Sequence, residues 1–153
     1  MIKHIKCDIF ESGADVICHQ VNCQGVMGSC VAKQVRERYP EVYEKYKMDC
    51  DFQRGRLGKI QVVAVNQSQS IINLFAQDNY GYDSKCYTDY RALEECLKRV
   101  RAYCSNLNQT IAFPYLMSCA RGGGDWNIVY KMIEDIFKDY DEDILICEYD
   151  GEK

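Results

Sequence analysis

The sequence predicts an α/β fold, a three-layer α/β/α sandwich built on a mixed, mostly parallel six-stranded sheet. Three observations predict it. Six short runs rich in Val and Ile are spaced along the chain; stretches with helical periodicity lie between most of them; and one adjacent pair of runs is joined by a short polar turn. Strands alternating with helices favour parallel pairing with helices on both faces, and a single hairpin makes the sheet mixed. The 153 residues read as one domain, 1–153, long enough to bury roughly 70% of the unfolded surface.

Residues 2–6 form a short first strand and residues 14–21 a buried one. Residues 29–39 are helical, with Val31, Val35 and Tyr39 on one face. Pro40 opens a second helix to about Met48, because proline suits a first helical turn. Residues 59–65 and 70–75 are strands, and Asn66-Gln67-Ser68-Gln69 between them is the hairpin turn. Thr88 or Asp89 caps the next helix, whose inner face is Tyr90, Leu93, Leu97, Val100 and Cys104. Residues 110–114 are a buried strand. Asp125 is the N-cap of a helix with Ile128, Val129, Met132, Ile133, Ile136 and Phe137 inward, and residues 143–149 are the last strand, burying Ile144, Ile146 and Cys147 or Leu145.

Composition bounds the function classes. Hydrophobic residues are 47% and charged residues 27%, with only 2 prolines, so disorder is excluded. A net charge of -4 argues against a broad basic footprint for long nucleic acids, so an anionic ligand has to be held by local donors. The 10 cysteines include no CxxC pair, and Cys18, Cys23 and Cys30 do not match zinc spacing. Cys7, Cys18, Cys96 and Cys147 fall inside apolar patterns, where a free thiol behaves as a small hydrophobe. With no apolar leader or membrane-length run, the expectation is a reduced, cytoplasmic, monomeric protein with neither metal nor cofactor.

Two glycine-bearing loops stand where a strand ends and a helix begins. One is Asn22-Cys23-Gln24-Gly25-Val26-Met27-Gly28, and the other is Arg121-Gly122-Gly123-Gly124-Asp125-Trp126. Glycine allows close backbone approach, and a helix start offers free N–H groups and a positive dipole end. One such junction is a weak anion signal; two in a small domain make a cradle for a diphosphate. In sheets of this kind the ligand sits beyond the carboxyl ends of the strands, where both loops fall.

The run from His19 through Asn22, Gly28, Ser29 and Cys30 to Ala32 resembles the first ligand loop of macrodomains. Phe113-Pro114-Tyr115 followed by Ser118-Cys119-Ala120-Arg121-Gly122-Gly123-Gly124-Asp125-Trp126 resembles their second loop, and Lys6-Cys7-Asp8-Ile9-Phe10 their acidic motif. Order and spacing agree along nearly the whole chain. Within the family the chain is most similar to the branch of ADP-ribose 1″-phosphate phosphatases and of the glycohydrolase that removes terminal ADP-ribose from proteins.

The resemblance implies a macrodomain-like fold with ADP-ribose, free or attached to protein, as partner. Asp8 would accept from the adenine amino group beside the Ile9 N–H, or is a solvated turn residue. Tyr149 would offer an aromatic face to adenine, or is an edge-strand tyrosine. Gln24, Gly25, Val26, Met27, Gly28, Ser29 and Cys30 would wrap the distal ribose and one phosphate, with Asn22 positioning the ribose. Ser118, Cys119, Ala120, Arg121, Gly122 and Gly123 would close on the other side. Backbone bonds to charged oxygens contribute roughly 1.5–3 kcal/mol each, enough together for micromolar affinity. The chain departs from the family at Cys30, often glycine, and at Ser118-Cys119-Ala120, where Gly-Cys-Gly is usual; a position needing positive φ would be strained. Arg121 pairs with a phosphate or points to solvent.

The branch glycohydrolase uses a lysine nucleophile and an assisting aspartate; the matching positions here are Gln77 and Gly122, which argues against a lysine adduct. His19 matches a histidine of the branch and is a candidate acid or base, or a strand-end residue bonded to backbone. Asp125 activates water or caps its helix, and Cys119 lies near the cradle without any sign of thiolate activation. Residues 78–87 read as an aromatic flap. Three readings follow: an ADP-ribose binder that hydrolyses ADP-ribose 1″-phosphate or ADP-ribosyl esters; a non-catalytic reader; or a module for another nucleotide or an RNA end, disfavoured by the acidic charge. A dinucleotide oxidoreductase is weaker still, since the first loop lacks GxGxxG.

Overall fold

A computed structural model describes residues 1–28, 30–52, 55–81, 83, 85–119 and 122–149. Its strands are β1 (Ile2–Lys6), β2 (Val16–Asn22), β3 (Ile60–Ala64), β4 (Ser70–Gln77), β5 (Ile111–Pro114) and β6 (Ile144–Glu148). Its helices are α1 (Cys30–Arg38), α2 (Pro40–Phe52), α3 (Tyr90–Ser105) and α4 (Trp126–Ile136), with a 3-10 turn at Ile9–Glu11. The six strands form one sheet in the order β1-β6-β5-β2-β4-β3. Every neighbouring pair is parallel except the β3–β4 hairpin. The mixed, mostly parallel sheet expected from the sequence is therefore present, and the five parallel strands all end at the same edge.

Both sheet faces are covered, and alternation along β2 shows how. Val16 and Cys18 join Ile72, Leu74 and Ala76 against Leu93, Leu97 and Val100 of α3 and Val129 and Ile133 of α4. Ile17 and Val21 join Ile71 and Phe75 against Val35 of α1 and Val42 and Tyr46 of α2. Side chains two apart on a strand share a face, so a β2 that feeds both layers must read as a nearly continuous apolar run. Each fully buried Leu or Ile contributes about 1.5–3 kcal/mol. Truncating Leu97, wholly buried at the centre of one layer, would cost about 2–5 kcal/mol.

Helix starts follow the expected chemistry. Asp89 caps α3 by accepting from the Ala92 N–H at 3.0 Å, and Asp125 caps α4 by accepting from the Asn127 N–H at 2.9 Å. Thr88 is used elsewhere, as described below. The second helix runs to Phe52 rather than Met48, and β4 runs to Gln77 rather than Phe75. One inward assignment is corrected: Ile128 is 42% exposed. It sits in the first turn of α4, beside a buried stripe that centres on Val129 and Ile133. Both alternatives for β6 contribute, with Cys147 buried and Leu145 partly covered on the same face, in the layer beneath α1 and α2.

Candidate ligand-binding cleft

The sheet edge where the parallel strands end carries a cleft between the two glycine loops. Its floor is the end of β2, from His19 to Asn22. One wall is Val26 and Gly28 of the first loop with Cys30, Val31 and Ala32 opening α1. The other is the segment Pro114–Ser118 after β5, with Gly122; Gln77, Tyr80 and Gly81 close the end beyond β4. The two loops thus share one cleft. Ser29, Ala120 and Arg121, expected in the same cradle, lie outside the described residues.

The first loop is organised by one side chain. Asn22 Oδ1 accepts from the N–H of Gln24 at 2.9 Å and of Val26 at 3.4 Å, while Nδ2 donates to the Val26 carbonyl at 2.8 Å. The Tyr46 hydroxyl, buried under the loop, lies 2.8 Å from the same Oδ1 and 2.7 Å from the Asn22 carbonyl. Asn22 lines the cleft, yet its polar atoms are committed to the loop. Gly25 turns the chain with φ +82°, a conformation glycine adopts without strain. Met27 is fully buried in the core below, so only its backbone can face a ligand. Cys30, where the family often has glycine, has φ 53°, a left-handed conformation that strains a residue with a side chain.

The second loop is held from a distance. Ser118, at φ 72°, donates from Oγ to Gln20 Oε1, and Gln20 Nε2 reaches Gln77 Oε1 at 2.7 Å and Thr88 Oγ1 at 2.9 Å. Thr88 Oγ1 donates to the Ser118 carbonyl at 2.8 Å. The Gly122 carbonyl accepts from the N–H groups of Tyr87 and Thr88 at 2.7 and 2.9 Å. A Cβ at Gly122 would lie 2.5 Å from Thr88 Oγ1 and 2.6 Å from the Ser118 carbonyl. Gly123, with φ +69°, packs against the Lys85 carbonyl. The 78–87 segment therefore ties both loops together, since the Asp78 carbonyl accepts from the Cys23 N–H at 3.1 Å and from Gln24 Nε2 at 3.1 Å.

The remaining candidates fall around this cleft rather than in it. Asp8 has one carboxylate oxygen accepting from the Phe10 N–H at 3.0 Å and the other 3.2 Å from Arg38. It stands beyond the end of β1 beside β6, with Ile9 buried behind it and Tyr149, 44% exposed, after β6. These three stand at the same sheet edge, after β1 and β6, on the side of β5 away from β2, and none lines the cleft. Asp125 is occupied as the α4 cap, and its own N–H donates to the Tyr90 hydroxyl oxygen at 2.8 Å. Cys119 bonds the Met117 carbonyl at 3.2 Å, and burial, then the nearby Asp125, pushes its thiol up to about 11, away from a thiolate.

His19 is 1% exposed. Its Nε2 lies 2.6 Å from Asn73 Oδ1 on the adjacent strand, and Nδ1 has no partner among the described residues. Burial lowers its pKa to about 4, against a smaller opposing effect of the Asn73 bond, so the ring is neutral at pH 7. An acceptor left unpaired in the interior costs about 1–3 kcal/mol. Sequence reasoning missed Gln20 and Asn73. Both are polar residues inside apolar strand runs, and that interruption was the available signal.

A parallel α/β sheet with two backbone-lined loops over its carboxyl edge defines a nucleotide-type ligand cleft. The chain belongs to the Macro domain family, whose model matches residues 18–133. It is 29% identical over 142 residues to a DNA ADP-ribosyl glycohydrolase of Mycobacterium tuberculosis, covering 90% of this chain and 39% of that protein. The chain thus spans well under half the length of these curated relatives. It is also 28% identical over 147 residues to an uncharacterized 17.5 kDa protein of Enterobacteria phage T4, covering 88% of each. Its fold matches the macrodomain of Mycobacterium tuberculosis DarG with a TM-score of 0.84 at 24% identity, covering 97% of both chains. Among the described residues no helix is long and apolar enough to cross a membrane, and no group of three or more His, Cys, Asp or Glu is placed to hold a metal.

Proposed function

We propose that this macrodomain binds ADP-ribose, free or as the terminal group of a modified macromolecule. The observation that carries the reading is the shared cleft, with one backbone-lined loop on each side. The helix start at α1 offers N–H groups and a positive dipole end to a phosphate on one side of that cleft. The adenine would lie toward Asp8, Ile9 and Tyr149, and the distal ribose toward Asn22, Gln77 and Tyr80. Ordering of the Asp8 carboxylate by Phe10 and Arg38 supports its use as a fixed acceptor there. Isothermal titration with free ADP-ribose is the test: micromolar binding that persists at high salt, and is much weaker for AMP, is expected. No heat at hundreds of micromolar ligand ends the reading.

Any hydrolysis would have to proceed without a lysine adduct. Gln77 stands at the lysine position, its Oε1 accepting from Gln20 and its Nε2 donating to the Asn79 carbonyl at 2.8 Å. Gly122 stands at the aspartate position and has no room for a side chain. One observation favours a hydrolytic role: His19 lines the cleft with a ring nitrogen unpartnered. Its lowered pKa makes it a weak base, consistent with slow turnover. Incubation with ADP-ribose 1″-phosphate, ADP-ribosylated glutamate peptides and ADP-ribosylated DNA separates the two outcomes; loss of none of them leaves a reader.

A further inference from the structure

A line of polar side chains crosses the sheet beneath α2 and ends at His19. The pairing register sets it up, because His19 stands beside Asn73 on β4, and Asn73 beside Gln61 on β3. The three side chains join end to end. His19 Nε2 meets Asn73 Oδ1 at 2.6 Å, and Asn73 Nδ2 meets Gln61 Oε1 at 2.9 Å. Gln61 Nε2 meets Asp49 Oδ2 at 2.9 Å, and Arg56 pairs with that oxygen at 3.2 Å. Asn73 is fully buried and His19 nearly so, in layers otherwise apolar.

The far end fixes the direction of every bond. A guanidinium only donates, so the Asp49 oxygen it pairs with accepts, and the Gln61 group facing that oxygen must be its NH₂. Gln61 then presents its carbonyl to Asn73, which must donate from its own NH₂ and turn its carbonyl to His19. The ring nitrogen facing that carbonyl must carry the proton. We propose that Asn73, Gln61 and Asp49 are a positioning relay that holds His19 as the Nε2–H tautomer, leaving the Nδ1 lone pair to accept a hydrogen bond from a hydroxyl of the cleft ligand. The choice of a sugar hydroxyl rests on the ADP-ribose reading, whereas the tautomer does not. The lowered pKa agrees, since a neutral ring has a lone pair to offer. Nδ1 is also the one nitrogen of this ring without a partner among the described residues.

The test is a long-range ¹H–¹⁵N correlation spectrum of histidine-labelled protein, with His4→Gln assigning the only other ring. Wild type is expected to show His19 protonated at Nε2 alone at neutral pH, with the Nδ1 resonance moving when ADP-ribose is added. Gln61→Lys inverts the instruction. An ammonium held by Asp49 can only donate, so Asn73 must flip and His19 must shift its proton to Nδ1. Gln61 lies on the edge strand and is only partly buried, so the variant should fold. Its ADP-ribose affinity should fall roughly threefold to tenfold. Gln61→Met removes the instruction without reversing it and should give a mixed tautomer. A wild-type ring protonated at Nδ1, or a Gln61→Lys protein still protonated at Nε2, overturns the relay. A wild type that shows the expected tautomer but no ADP-ribose binding sinks the functional reading and the ligand contact, and leaves the relay standing. If ADP-ribose binds while Nδ1 does not move, the ligand contact alone is lost.

Discussion

The two loops that wall the cleft do the same geometric job by different means. The first is organised mainly from within: Asn22 bonds residues two and four positions ahead, with Tyr46 supporting it from below and the Asp78 carbonyl holding Cys23 and Gln24. The second depends on partners far along the chain, namely Gln20, Thr88 and the Tyr87–Thr88 backbone closing on Ser118 and Gly122. Local bonds form as soon as the turn does, whereas distant ones require the sheet to be assembled first. The first loop should therefore tolerate damage to the second better than the reverse, because Gln20 and Gln77 sit on the strands that flank both.

The harshest way to break the second loop is Gly122→Asp, which also restores the aspartate of the related glycohydrolases. With Thr88 Oγ1 and the Ser118 carbonyl at 2.5 and 2.6 Å from the added Cβ, accommodation means moving backbone. A loss of at least about 3 kcal/mol is expected, with ADP-ribose binding abolished. The single tryptophan reads it out locally, because Trp126 stacks edge-on with Tyr115 at 5.3 Å; its emission should shift. Adding Gln77→Lys should not install lysine-dependent cleavage, as the loop that would carry the aspartate is displaced.

The pH dependence of stability isolates the strand shared by the two loops. His19 has a folded pKa near 4 against an ordinary 6.5, so below pH 6.5 the unfolded chain binds the proton that the folded one refuses. The contribution is fully present above 6.5 and is lost progressively as pH falls to 4. The fully buried ring makes the total loss about 3 kcal/mol. Denaturant melts of wild type and His19→Gln across that range should diverge by this amount, wild type weakening more steeply. Parallel curves would mean that the ring takes up its proton without unfolding.

Asn22→Ala attacks the first loop alone. It removes three hydrogen bonds to the loop backbone and the one from Tyr46 at a site 7% exposed, at a cost of about 2 kcal/mol. Binding should drop at least about tenfold while Trp126 emission stays that of wild type. A shift in that emission would show that the loops are not independent.

What was legible in the sequence follows the same division. The strands, the hairpin, the caps at Asp89 and Asp125 and the first loop announced themselves through patterns a few residues long. The strain at Ser118 was readable too, since it replaces glycine where the resemblance expects it. Gln20, Thr88 and Asn73 were not, because each acquires its role from a partner between 30 and 98 residues away. Ile128 fails for a related reason: periodicity says which face of a helix is apolar, and only the tertiary arrangement says how wide a stripe of it is covered.

The smallest effect gives the sharpest contrast. Cys30 and Ser118 share a left-handed backbone, φ 53° and 72°, so replacing either by glycine relieves similar strain, of order 1 kcal/mol. Cys30 is exposed, and Cys30→Gly should stabilise by up to about 1 kcal/mol, seen as a rise of a few degrees in melting temperature. Ser118→Gly removes the same strain but also the Oγ donor that satisfies Gln20 Oε1, and the two changes should offset to within about 0.5 kcal/mol. Equal stabilisation at both sites would mean that the Ser118–Gln20 bond contributes nothing, and the second loop would then rest on the Gly122 and Thr88 backbone contacts alone.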